Sequence, residues 1–379
     1  MRNRKILTGT HFMFGNHAIA EGAIAAGCNY FAGYPITPAS EIAERMSKRL
    51  PEVGGKFVQM EDELGSIFSL TGASLCGAKP MTATASAGFN YMQEGLGYAY
   101  AVEAPLVIVN VQRCRGENYA THADVMQIRW GASGDYEAIC LAPSNVQELF
   151  DYTIEAFNLA EKYRNPVIIT SEMILSHMRE RVVIPDPSEI TIVNRKKPMV
   201  SPEEFLPFRA DKTGIPPMPI FGEGYKTLYS LNPHSEDGRI DWDPDVFEKL
   251  YERILGKIRN NMDDICKYET YYVDDADILI IAYGSECRPA FDAVIEARKR
   301  GYKVGLLKLI TIWPVPEKLV DTFSKKVEKI IAMEINVGKY FFEIERIGKK
   351  NCDVILLAKN RGTIHTTEEV LKKIEEVSQ

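Results

Sequence analysis

Residues 105–111, Pro-Leu-Val-Ile-Val-Asn-Val, form an almost continuous apolar run. A strand of this kind is buried on both faces, as in the middle of a parallel sheet covered by helices on each side. The surrounding chain has the alternation such a sheet requires. Short apolar strands are expected at 30–34, 56–60, 81–85, 136–141 and 166–171. Alanine-rich or periodic helices are expected at 15–27, 63–76, 90–102 and 144–163, the last with Ser144 as its cap.

In an open α/β sheet the ligand crevice lies at the carboxyl edge of the strands, so the residues that follow each strand are the first candidates for chemistry. The strand at 56–60 runs into Glu61-Asp62-Glu63 at the entry of a small-residue helix. Negative charge is favourable in the first turn of a helix, and that alone accounts for Glu61 and Asp62. The strand at 81–85 runs into Ser86-Ala87-Gly88-Phe89, and the strand at 30–34 into Pro35-Ile36-Thr37-Pro38. Thr37 reads equally well as an N-cap, with Pro38 in the first turn, or as a ligand contact. Arg113, just beyond the buried run, suits a carboxylate with its planar fork, or a structural ion pair. His122, in the polar loop that follows, is either a substrate contact or an ordinary loop histidine.

With 379 residues, the chain exceeds one ordinary core. The expected division is 1–184, a proline-rich connecting segment at 185–271 that carries one amphipathic helix at 245–260, and 272–379. The last part restarts the alternation, with strands at 277–283, 303–308, 329–333 and 352–357 and a final helix opened by the capping box Thr366 and Glu369. The fold class is therefore α/β, with two doubly wound parallel-sheet domains. A net charge of -7 without a basic stripe argues against a nucleic-acid surface. No apolar run is long enough for a membrane span, and residues 1–15 do not read as a secretory signal. Seven dispersed cysteines without a C-x-x-C pair suit a reducing, cytoplasmic setting and offer no zinc or iron–sulfur pattern.

Taken together, several stretches resemble the alpha subunit of the 2-oxoacid:ferredoxin oxidoreductases, thiamine diphosphate enzymes that oxidatively decarboxylate 2-oxo acids onto coenzyme A. They are Gly33-Tyr34-Pro35-Ile36-Thr37-Pro38, Gln59-Met60-Glu61-Asp62-Glu63, Thr84-Ala85-Ser86-Ala87-Gly88-Phe89, Val109-Asn110-Val111-Gln112-Arg113, Ala282-Tyr283-Gly284-Ser285 and Trp313-Pro314. The resemblance implies a thiamine pyrimidine-binding domain followed by a transketolase C-terminal-like domain. It makes Glu63 the carboxyl group that bonds the pyrimidine ring nitrogen, with burial expected to raise its pKa. Pro35, Ile36, Ser86 and Phe89 then line the pyrimidine side, while Thr37 and Arg113 hold the substrate carboxylate.

The Gly-Asp-Gly and Asn pattern that binds magnesium and diphosphate is missing here, and no cysteine set could hold a cluster. The resemblance therefore places Mg2+, the diphosphate and the [4Fe-4S] centres on a beta subunit, with gamma and delta subunits in many family members and ferredoxin as electron acceptor. No metal site is expected on this chain. In many family members with 2-oxoglutarate or branched-chain specificity a Gly-Gly-Pro-Ser-Thr-Gly type loop follows the arginine, whereas here Cys114-Arg115-Gly116-Glu117-Asn118-Tyr119 is shorter and different. Arg115 and His122 could each bind a second carboxylate, which puts 2-oxoglutarate ahead of pyruvate and of branched-chain or aryl 2-oxo acids. A non-catalytic paralogue with a structural or regulatory role is the remaining alternative.

Overall fold

A computed structural model describes residues 6–114 and 119–379. Its strands, in chain order, are β1 (Gly9–Phe14), β2 (Tyr30–Gly33), β3 (Lys56–Gln59), β4 (Pro80–Thr84), β5 (Leu106–Gln112), β6 (Ile139–Leu141), β7 (Pro166–Glu172) and β8 (Arg179–Ile184). They continue with β9 (Tyr268–Tyr271), β10 (Ile278–Tyr283), β11 (Val304–Leu309), β12 (Thr311–Trp313), β13 (Lys329–Glu334) and β14 (Asp353–Ala358). The first sheet has the order β12-β6-β7-β5-β4-β2-β3 and is parallel except at β12. The second has the order β14-β13-β10-β11-β9 and is parallel except at β9.

The apolar run is β5, and every residue of it is buried. Val107, Val109 and Val111 point to one core, shared with the helices Gly15–Ala25, Ser40–Glu52 and Val146–Tyr163. Leu106 and Ile108 point to the other, which also contains Leu279, Ile281, Leu307 and Leu309 of the second sheet. The two sheets thus share a core. Each fully buried Val, Leu or Ile contributes roughly 1.5–3 kcal/mol, so this seam holds the units as one body.

The expected divisions are crossed at two strands. β12 leaves the second unit to pair with β6 of the first sheet, and β9, inside the stretch expected to be connecting, is an edge strand of the second sheet. β1, in a stretch that looks weakly patterned, pairs antiparallel with β8 as a separate ribbon. The helix expected at 90–102 starts earlier and breaks at Met92, and Asn145 rather than Ser144 caps the helix Val146–Tyr163. Ser144 instead donates its N–H and its hydroxyl to Glu148. The capping box of Thr366 and Glu369 forms as expected.

Two buried arginines clamp the connecting segment. Arg164 donates to the carbonyls of Pro207, Pro216 and Pro217 at 3.2–3.3 Å. Arg195 pairs with Glu161 at 2.5 Å and donates to the carbonyls of Ser74 and Ala78 at 2.6 Å. Proline-rich chain forms few ladder bonds, and guanidinium donors satisfy the carbonyls left over. No helix of the described residues is long and apolar enough to cross a membrane.

Candidate active site

Strand order alone gathers the candidates. At one carboxyl edge, β3, β2, β4 and β5 stand side by side, and they lead into Glu63, Thr37, Ser86 and Arg113 respectively. The chain reverses direction across the sheet between β2 and β4, because β3 lies on one side of β2 and β4 on the other. A reversal of this kind opens a crevice beyond the strand ends.

Asp62 caps the helix Glu63–Leu75, its carboxylate accepting the Gly65 N–H at 2.6 Å, and Glu61 is exposed. Glu63 is the buried one of the three acids, 7% exposed. Burial pushes its carboxyl above the ordinary value, opposed by its own backbone amide and the Thr84 hydroxyl, while the Asp62 charge adds to the rise. The carboxyl lies against Gly88. A methyl group there would sit 2.1 Å from Oε1 of Glu63 and 2.2 Å from the Thr84 hydroxyl oxygen. Gly88→Ala is therefore expected to push the Glu63 carboxyl aside and lower turnover by about a hundredfold, read as kcat of the assembled enzyme. Unchanged kcat would show that the carboxyl needs no such fixed place.

Thr37 does not cap a helix. The helix Ser40–Glu52 begins three residues later, with Ala39 at its N-cap position and no side-chain bond there. Thr37 and Pro35 lie exposed on the turn beyond β2, with Ile36 half-buried between them. The turn is held from below by Asn16, fully buried, whose side-chain amide donates to the Pro38 carbonyl at 2.8 Å and to the Glu41 carboxylate at 2.9 Å. Nothing in the sequence marks Asn16, because its partners stand more than twenty residues away.

Ser86, the first residue of the helix Ser86–Tyr91, brackets the Arg113 peptide. Its hydroxyl donates to the Arg113 carbonyl at 3.0 Å and accepts the Arg113 N–H at 3.1 Å. The geometry brings Glu63 together with Gly88, and Ser86 together with Arg113. Phe89, expected on the pyrimidine side, is fully buried and packs in the core cluster with Ile67, Met92 and Leu96.

His122 is also placed elsewhere. It is 3% exposed at the seam between the two units, with its ring stacked on Tyr283 at 4.6 Å. Burial, helped by the nearby His365, pushes its pKa down to about 3. A neutral, enclosed imidazole is a poor partner for a substrate carboxylate. Arg115 lies outside the described residues. Sequence reasoning missed Asp124, 8% exposed, which accepts a hydrogen bond from Asn110 of β5 at 3.0 Å.

Comparison with known proteins fits this arrangement. Residues 21–253 match the family described as pyruvate flavodoxin/ferredoxin oxidoreductase, thiamine diphosphate-binding, and residues 276–370 match pyruvate:ferredoxin oxidoreductase core domain II. The chain is 48% identical to the 2-oxoglutarate synthase subunit KorA of Methanocaldococcus jannaschii, over 96% of this chain and 98% of that protein. It is 36% identical to the ketoisovalerate oxidoreductase subunit VorB of Methanothermobacter thermautotrophicus, over 97% and 98%. Among solved structures it matches a 2-oxoglutarate:ferredoxin oxidoreductase from Magnetococcus marinus with 2-oxoglutarate, coenzyme A and succinyl-CoA bound. That match has a TM-score of 0.92 at 30% identity and covers 98% of this chain and 66% of that one.

Proposed function

Because the chain belongs to the thiamine diphosphate-binding 2-oxoacid:ferredoxin oxidoreductase family, we propose that it is the alpha subunit acting on 2-oxoglutarate, with Glu63 as its catalytic carboxyl group. The single observation behind the role of Glu63 is a buried carboxyl with a raised pKa, seated against a glycine at the carboxyl edge of the sheet. The choice of 2-oxoglutarate rests on the similarity to a 2-oxoglutarate synthase subunit, at 48% against 36% for a ketoisovalerate relative.

Thiamine diphosphate, when bound, supplies the nucleophilic carbon and the electron sink for decarboxylation. Glu63 holds its proton towards a pyrimidine ring nitrogen, and the space left by Gly88 keeps the carboxyl in place. The exposed turn at Pro35 and Ile36 and the Ser86 hydroxyl stand on either side of the reversal point, where they suit a flat ring. Thr37 and Arg113, beyond the two strands that flank the strand of Ser86, hold the carboxylate of the 2-oxo acid and so orient its keto carbon. Magnesium, the diphosphate and [4Fe-4S] clusters are assigned to a beta subunit, with coenzyme A as acyl acceptor and ferredoxin as electron acceptor.

Reconstitution with that subunit and a screen of 2-oxo acids tests this reading. The fastest reduction of a low-potential dye, dependent on coenzyme A, is expected with 2-oxoglutarate. A higher kcat/KM for pyruvate or a branched-chain acid would overturn the substrate, and turnover without any electron acceptor would point to a non-oxidative reaction.

A further inference from the structure

The loop residues 121–124, beyond Arg113, are held from two sides. On the first sheet, Asp124 donates its backbone N–H to the side-chain oxygen of Gln112 at 2.8 Å, and its carboxylate accepts from Asn110 at 3.0 Å. Gln112 is itself fixed by donating to the Thr170 hydroxyl of β7 at 2.6 Å. The Ser86 hydroxyl, which brackets the Arg113 peptide, also faces the Asp124 carboxylate, so its single proton is shared between that carboxylate and the Arg113 carbonyl. Both anchors on β5 and the bracket on Arg113 therefore meet at one residue, Asp124: Gln112 through its backbone N–H, and Asn110 and Ser86 through its carboxylate.

The second unit grips the same loop from the other side. Thr121 and His122 both donate to the Ile335 carbonyl, at 3.2 and 3.1 Å, and Asn336 donates its side-chain amide to the His122 carbonyl at 3.0 Å. Lys339 donates to the Ala123 carbonyl at 2.6 Å, and its positive charge acts on Asp124. Asn336 cannot turn away easily, because it also donates to Glu334 and accepts the N–H groups of Gly338 and Lys339. A nearly buried carboxylate is costly unless its oxygens are bonded, so Asp124 is worth this arrangement only if its position matters.

We propose that Asp124 is a positioning residue for substrate binding: it fixes the peptide of Arg113 through Ser86, Asn110 and Gln112, and Asn336 and Lys339 of the second unit set the place of that knot. Docking of the transketolase C-terminal-like unit then tunes affinity for the 2-oxo acid through Asn336 and Lys339. This inference rests on the assignment of Arg113 to the substrate carboxylate.

The test uses the enzyme assembled with its partner subunit and reads KM for the 2-oxo acid, kcat, affinity for thiamine diphosphate and the unfolding temperature. Asp124→Asn keeps the shape and removes the charge. It is expected to raise KM about tenfold, with kcat within about threefold and cofactor affinity unchanged. Asn336→Ala is expected to raise KM in the same direction by about threefold, and the double variant by less than the product of the two. An unchanged KM in Asp124→Asn, or a fall in kcat that tracks the unfolding temperature at constant KM, would overturn the proposal. Should Asp124→Asn fail to assemble, Asn336→Ala and Lys339→Met decide in the same way: a raised KM supports the proposal and an unchanged KM overturns it. Arg113→Lys separates this inference from the reading beneath it. If that variant leaves KM unchanged, the assignment of Arg113 fails; if it raises KM while Asp124→Asn does not, only the role of Asp124 fails.

Discussion

Glu63→Gln is expected to lower kcat by about a thousandfold, within the range of a lost general acid–base group, while thiamine diphosphate still binds. Gln has nearly the volume of Glu, so the space beside Gly88 remains filled and the helix start is undisturbed. What the amide cannot do is exchange a proton with a ring nitrogen. Stability should move the other way. The pKa of Glu63 is raised on folding, so its favourable contribution is present below the unfolded value and is lost as pH rises through the folded value. At neutral pH a permanently neutral Gln removes that cost, and the variant should unfold at a temperature equal to or above that of the parent. Loss of activity with retained or raised stability is the mark of a group kept for chemistry. Full activity in the variant would remove Glu63 from the mechanism, and a lower unfolding temperature would show that its burial is stabilising.

How much of this was legible in the sequence depended on distance along the chain. The run at 105–111 announced a doubly buried strand, and β5 is one, because two-sided burial leaves its trace in every residue of the strand itself. The separation of Glu63 from Glu61 and Asp62 was also readable, and the structure buries Glu63 while exposing Glu61. What failed was whatever depends on a remote partner. β1 has no clear pattern of its own and is fixed by β8, about 170 residues on, through pairs such as Gly9 with Ile184. His122 is enclosed by Tyr283 and Ile335, and Asn16 matters through Pro38 and Glu41; no local spacing encodes these contacts. Thr37 had the composition of a cap, but the helix starts beyond Pro38, at Ser40. That leaves Thr37 on an exposed turn beyond β2, outside the helix it was expected to cap.

Glu103→Gln should be the most destabilising single change outside the site. Glu103 is fully buried and pairs with Arg253 at 2.7 Å and with Lys257 at 2.8 Å. Those two side chains and the nearby Arg164 hold its carboxyl well below the usual range, despite burial, the largest single influence, which opposes them. Its stabilising contribution is thus present above the unfolded pKa and lost as pH falls through the folded one. Lys257 is pushed the other way, down to about 8 by burial, although Glu103 opposes the shift. Removing the carboxylate leaves buried cations without their counter-charge, and breaking a buried pair from one side costs about 3–5 kcal/mol. Lys257 also donates to the Arg164 carbonyl at 2.7 Å, and Arg164 carries the bonds to Pro207, Pro216 and Pro217. The damage should therefore spread to the connecting segment, as faster amide exchange in the helix Pro244–Arg259 and around residues 207–217, together with a lower unfolding temperature. Adding Lys257→Met should recover part of the loss, because it removes the charge that was stranded. If the double variant is no more stable than Glu103→Gln alone, the cost lies in lost packing, and the charge cluster is not what holds the segment down.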